Sequence, residues 1–217
     1  MTQMVPLRVT ARFRGALMNP SNKVALDALL TAAVVVRDEL PPIYSAADIT
    51  PIDVPIAMSE CGRYRLASFS EQEVEDRELA YVNKPAIVRE FFEHCGPKGT
   101  INIAAGENKG WRIPTEIGHL FDDAMTWWCI GDEVGVRALL ALVHHVGKKR
   151  GHGRGAVAEW LVEPCESWGD GFPVMRDGRA LRTLPRDYAG ITSSFPGRGA
   201  LRPPYWMRET YEEVVLP

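Results

Sequence analysis

The sequence predicts an α+β fold, one domain of 217 residues, on three observations. Short segments of period-two alternation read as strands. Two longer apolar segments at helical spacing read as helices, and Gly and Pro punctuate the chain with no internal repeat and no linker long enough to divide it. A composition of 46% hydrophobic and 24% charged residues excludes disorder, collagen-like repeats and coiled coil. No apolar run approaches the roughly 20 residues needed to cross a bilayer, so no membrane partner is expected. Residues 1–9 lack the basic, apolar and small-residue succession of a secretory signal. Cys61, Cys95, Cys129 and Cys165 form no CxxC, which fits reduced thiols and not a disulfide framework or zinc site. The expectation is a cytoplasmic protein with no metal and no cofactor.

Residues 7–14 alternate so that Leu7, Val9, Ala11 and Phe13 share one face while Arg8, Arg12 and Arg14 share the other. This is a strand with a basic outer face. Asn19-Pro20 and Ser21-Asn22 signal turns, and residues 24–36 then read as a largely apolar helix with a polar flank at Lys23, Asp27 and Arg37, ending before Pro41-Pro42. Residues 43–132 are less regular. Residues 54–58 and 63–69 flank Glu60-Cys61-Gly62 as a hairpin, 71–78 are too acidic for a core, and 86–94 suit a short helix. Residues 101–104 and 111–113 bracket a second hairpin with Lys109 near its tip. Asp132 is a good N-cap for a helix running to Val146, and residues 156–162 form a strand. Beyond Pro164 the chain is irregular and rich in Arg, Pro and Gly, with extended candidates at 173–175 and 181–184.

The net charge of −3 conceals a segregation. Residues 1–133 carry 13 Lys and Arg against 19 Asp and Glu, whereas residues 134–208 carry 12 against 6. The basic stretch is where a phosphate backbone would be drawn. At its start lies Gly147-Lys148-Lys149-Arg150-Gly151-His152-Gly153-Arg154-Gly155, in which four glycines remove the Cβ obstacle to close approach and four cations stand without a carboxylate. It is neither a Walker A loop nor GxGxxG. Following a helix instead of preceding one, it gains nothing from the helix dipole, so the cations must hold the anion, and several phosphates along a strand match it better than one nucleotide. A solvated basic turn, or an adaptor loop for an acidic protein, is the plainer alternative. Arg12 and Arg14 extend the same surface if the first strand pairs beside residues 156–162. Lys109, Trp111 and Arg112 combine cation and aromatic in the way that stacks on bases and tracks phosphates. Of the histidines, His119, His144, His145 and His152 could each serve as a general acid or base, but no spacing pairs one with a partner. Asp122-Asp123 reads as a loop pair and not as a metal site.

The succession helix, glycine-rich loop, Ala156-Val157-Ala158-Glu159-Trp160 resembles the signature of the RAMP superfamily of CRISPR proteins. More narrowly, five blocks in order resemble the Cas-five-like subunit of type IV CRISPR effector complexes. They are residues 26–30, Lys109 to Pro114, Trp127 to Asp132, the loop itself, and Arg202-Pro203-Pro204-Tyr205-Trp206. The resemblance implies a ferredoxin-like, RRM-type core over residues 1–217 with a thumb-like β-hairpin insertion at about 43–132. It implies a non-catalytic subunit that grips the 5′ handle of the CRISPR RNA and caps the backbone filament of a complex targeting DNA. Its partners would be backbone subunits, the large subunit, target DNA near the flanking motif and, indirectly, a DinG-type helicase. On this reading Arg12, Arg14, Lys109, Trp111, Arg112, the loop 147–155, Arg202, Tyr205 and Trp206 meet RNA. Where family loops often carry an aromatic or small polar residue, this one has His152. Relatives that cut precursor RNA leave a metal-independent endoribonuclease as the alternative function.

Overall fold

The computed structural model describes residues 3–41, 45–84, 111–148 and 153–217, with the side chains of 46, 82–84, 111 and 112 outside the description. The first strand, β1 (Val5–Phe13), buries the residues its alternation marks: Leu7, Val9 and Ala11 are fully enclosed and Phe13 nearly so, while Arg8, Arg12 and Arg14 are exposed. A two-residue strand, β2 (Leu17–Met18), precedes helix α1 (Leu26–Arg37), and a long ribbon follows, β3 (Glu78–Lys84) paired antiparallel with β4 (Trp111–Gly118). Strand β5 (Ala124–Gly131), helix α2 (Glu133–Leu140) and strand β6 (Val157–Pro164) complete the main layer.

In that layer β1 is central, with β5 on one side and β6 on the other, both antiparallel to it. Along the outer edge of β5, residues 56–71 run extended, bridging Ile56 to Gly131, Ala67 to Cys129 and Glu71 to Thr126. The spatial order is therefore this segment, β5, β1, β6. Both helices lie on the face where Leu7, Val9, Trp127 and Val162 point, and with Leu26, Leu30, Val136 and Leu140 they form one core. The predicted 54–69 hairpin takes an irregular form, bridged between Met58 and Arg65. It belongs to the core with β5, so among the described residues of 43–132 the part that leaves the main layer is the β3–β4 ribbon. The helix expected at 86–94 and the strand at 101–104 lie outside the described residues.

Asp132 caps α2 as its position in the sequence predicts, accepting from the backbone N–H of Val134 at 3.2 Å and of Gly135 at 3.0 Å. Asp132→Ala is expected to cost about 1 kcal/mol, read as a fall in Tm of a few degrees by calorimetry. Two sequence expectations about the helices are corrected. The second helix stops at Leu140, not Val146, because the chain tightens into bonds from Leu142 N–H to Leu139 and from Val143 N–H to Leu140, and the Trp160 indole N–H takes the Val143 carbonyl at 2.9 Å. Asp27, read as a solvent-facing flank of the first helix, is 1% exposed.

The C-terminal part forms a smaller body with its own core of Tyr64, Val174, Ala180, Leu184, Leu201 and Val214. It contains β7 (Met175–Arg176) paired with β8 (Arg179–Ala180), and β9 (Leu184–Pro185), β10 (Phe195–Gly199) and β11 (Glu212–Leu216) in the order β10-β11-β9. Arg182 locks this body to the main layer. It is wholly buried and donates to the carbonyls of Arg65, Ala67, Thr183 and Leu201, to the Tyr205 hydroxyl and to Asp27. A second tie crosses the outer face of the sheet, where the Arg176 guanidinium lies 4.3 Å from the Trp128 ring centre and 3.9 Å from that of Trp168.

Candidate nucleic-acid interface

The glycine-rich segment closes a short antiparallel ladder and does not hang from a helix end. His145 bridges Ala156, Val146 N–H donates to the Gly155 carbonyl at 2.9 Å, and Val157 N–H donates to the His144 carbonyl at 2.9 Å. The unfavourable end of the α2 dipole is thus six residues away from Gly147, which removes the objection raised from the sequence. Gly147, Gly153 and Gly155 have φ of 90°, 73° and 64°, the left-handed region that L side chains rarely adopt. Lys149, Arg150, Gly151 and His152 lie outside the described residues.

The pairing that would bring Arg12 and Arg14 to this surface is present. In the β1–β6 ladder Arg12 stands opposite Glu159 and Phe13 opposite Val157, and Arg14 N–H donates to the Ala156 carbonyl at 2.9 Å. Gly155 N–H in turn reaches the Ala16 carbonyl at 3.4 Å. Arg8, further along, is engaged by Glu163 at 2.8 Å. Among the described residues no ion pair engages Arg12, Arg14, Lys148 or Arg154.

Gly147 and Lys148 also form one wall of a cleft of about 180 Å³ whose other wall is the turn from Leu17 to Val24. The exposed Lys23 is part of its lining, where partial loss of water lowers its pKa, Glu71 works against that shift, and Arg179 adds to it. Sequence reasoning treated Asn19 and Asn22 only as turn formers and Lys23 only as a helix flank; nothing local to those residues announced a cleft. The root of the β3–β4 ribbon adjoins the same turn, since β2 pairs with Ile117 and Gly118. Trp111 and Arg112 lie at the far end of β4, six residues beyond Ile117, about 20 Å along the strand. Lys109 lies outside the described residues.

Arg202, Tyr205 and Trp206 form a different neighbourhood. Tyr205 does not present its hydroxyl to a ligand: it donates to Asp27, at 3.0 and 2.8 Å from the two carboxylate oxygens, and accepts from Arg182 at 2.7 Å. Burial pushes that phenol well above its usual pKa. Its ring meets Phe69 edge to face at 5.5 Å, so Tyr205 is a structural member of the buried network. Arg202 is exposed, and Trp206 is 65% exposed beside it.

Among the described residues no cluster of three or more His, Cys, Asp or Glu is arranged to hold a metal, and no helix is long and apolar enough to cross a membrane. A family model, that of the CRISPR type IV associated protein Csf3, matches residues 83–217, which include the glycine loop, β6 and the whole C-terminal body. The chain belongs to the Csf3 family. It is accordingly a component of a type IV CRISPR system, in which partner subunits are expected. No curated protein matches the sequence. The Csf3 match begins within β3, so β1, α1 and the turn that forms the cleft lie outside the matched part.

Proposed function

We propose that the chain is the non-catalytic subunit that grips the 5′ handle of the CRISPR RNA and caps the backbone filament of a cytoplasmic type IV effector targeting DNA. The observation that carries this reading is the junction of β1 with the base of the glycine loop, which gathers Arg12, Arg14, Lys148 and Arg154 at one end of the sheet, where among the described residues no ion pair engages them, Glu159 standing opposite Arg12 without bonding it. Cations free of ion pairs beside glycines that can approach closely suit a phosphate backbone better than an acidic protein surface, where one fixed geometry would order them.

The order β1, α1, edge segment, β5, α2, β6, with the segment, β5, β1 and β6 side by side and both helices on one face, supports a ferredoxin-like core of the RAMP kind. The β3–β4 ribbon, with Leu79 and Ile113 exposed, supports the thumb, whose partner would be a backbone subunit. The large subunit, target DNA near the flanking motif and a DinG-type helicase would meet the complex beyond it.

Replacing Lys148, Lys149 and Arg150 together by Ala should reduce RNA retention in the purified complex and flatten the salt dependence of handle binding, by roughly 0.7 in slope for each phosphate no longer neutralised. The unaltered complex, incubated with repeat RNA in EDTA, should leave it uncut. Full RNA retention by the triple variant, or a discrete cut lost on replacing His144, His145 or His152, would overturn the assignment.

A further inference from the structure

The cleft between the glycine loop and the turn before α1 has the chemistry of a base pocket. Leu17, Met18 and Met125, each at most 8% exposed, contribute to an apolar floor, and the volume of about 180 Å³ exceeds the cavity of about 150 Å³ that accepts benzene. Around it stand two amides, Asn19 and Asn22, and two ammonium groups, Lys23 and Lys148. Among the described residues none of these four side chains has a hydrogen-bond partner. A purely apolar ligand would strip water from all four and return nothing, whereas a ring with polar edges and a phosphate on either side would engage them.

The turn is also held from behind, so its side chains are presented without further ordering. The Trp127 indole N–H donates to the Val24 carbonyl at 2.7 Å, Val24 N–H donates to the Ser70 hydroxyl at 2.9 Å, and the Gln72 amide donates to the carbonyls of Pro20 and Asn22 at 3.1 and 2.9 Å. Asn19, at φ 52°, donates its backbone N–H to the Glu116 carbonyl at 2.8 Å.

We propose that this cleft receives one unstacked nucleobase of the bound RNA, with Asn19 and Asn22 on its polar edge and Lys23 and Lys148 on the flanking phosphates. The proposal rests on the RNA-binding reading above and adds to it a point of sequence preference outside the glycine loop.

The test uses the full chain and fluorescein-labelled dodecamers of rA, rC and rU, with anisotropy followed across a salt series. The unaltered chain should spread the three affinities by about fivefold or more, and Asn19→Gly with Asn22→Ala should narrow the spread to about twofold while leaving the salt slope unchanged. Glycine keeps the positive φ at position 19, and a melt checks that the variant folds. Independently of any variant, rU carrying 4-thiouridine should photocrosslink to the peptides holding Met18, Lys23 or Met125. Equal binding of the three dodecamers, a spread that survives in the folded variant, or crosslinks confined to other peptides would overturn the pocket, while a measurable salt slope would leave the RNA reading intact. Failure of all three dodecamers to bind at low salt would overturn both.

Discussion

Arg182→Met should destabilise the chain by about 3–5 kcal/mol in urea unfolding. The guanidinium is wholly buried, and its removal leaves the Asp27 carboxylate enclosed with only the Tyr205 hydroxyl, and the carbonyls of Ala67 and Leu201 without the donor now 3.1 and 2.6 Å away. Burial by itself disfavours the charged guanidinium, but the Tyr205 oxygen and Asp27 outweigh it and raise its pKa above the ordinary value. The network therefore holds together only as a whole. Asp27→Asn with Arg182→Met should be less damaging than the sum of the single changes, because the stranded charge is gone, and Tyr205→Phe alone should cost only about 1–2 kcal/mol. Arg182→Lys should not rescue, since one ammonium cannot reach six oxygen acceptors at fixed angles. Hydrogen exchange should show the C-terminal body opening first in Arg182→Met, since Arg182 joins that body to Asp27 in α1. A loss under about 1 kcal/mol would mean that the two bodies are held by packing alone.

This network also marks where the sequence becomes opaque. Period-two alternation announces β1 and its buried face, and Asp132 announces α2, because both signals are local: one residue's neighbours decide its environment. Asp27 gives no local sign of burial. An Asp in the first turn of a helix is ordinarily a wet residue favoured by the dipole, and only an arginine 155 positions later makes its burial tolerable. Tyr205, adjacent to Trp206 and close to Arg202, reads as an aromatic beside cations, the same composition that suits RNA; only the fold turns its hydroxyl inward. The overlong second helix has the same origin. Residues 141–146 keep apolar helical spacing, yet the Trp160 indole and the ladder with residues 155–157 offer their backbone other partners. The candidate site divides in the same way. Glycines and cations in one loop are legible as a phosphate cradle, whereas the cleft is assembled from three separate segments, at 17–24, at Met125 and at 147–148, none of which describes it alone.

Gly155→Ala should abolish the loop's closure, where Gly153→Ala should leave it standing, and the contrast separates glycines needed to build the loop from those that leave room for a ligand. A Cβ at Gly155 would stand 2.0 Å from the Val146 carbonyl oxygen, a backbone atom that cannot swing aside, and this is the carbonyl of the residue whose own N–H bonds to Gly155. The ladder must part or move, so unfolding should come earlier by several kcal/mol, combining left-handed strain of about 1 kcal/mol with the broken hydrogen bonds and the collision. At Gly153 nothing among the described residues lies within 4 Å, so the cost is the strain at φ 73°, about 1 kcal/mol. Gly147 is open in the same way, at φ 90°. On the proposed RNA-binding reading, the open glycines leave room for a phosphate backbone. Gly153→Ala should therefore weaken RNA binding by more than its small loss of stability implies, with the salt slope reduced, while Gly155→Ala should lose stability and binding together. Calorimetry and RNA titration on the same preparations distinguish these outcomes. If Gly153→Ala and Gly147→Ala bind RNA as tightly as the unaltered chain, the open side of the loop faces something other than the phosphate backbone.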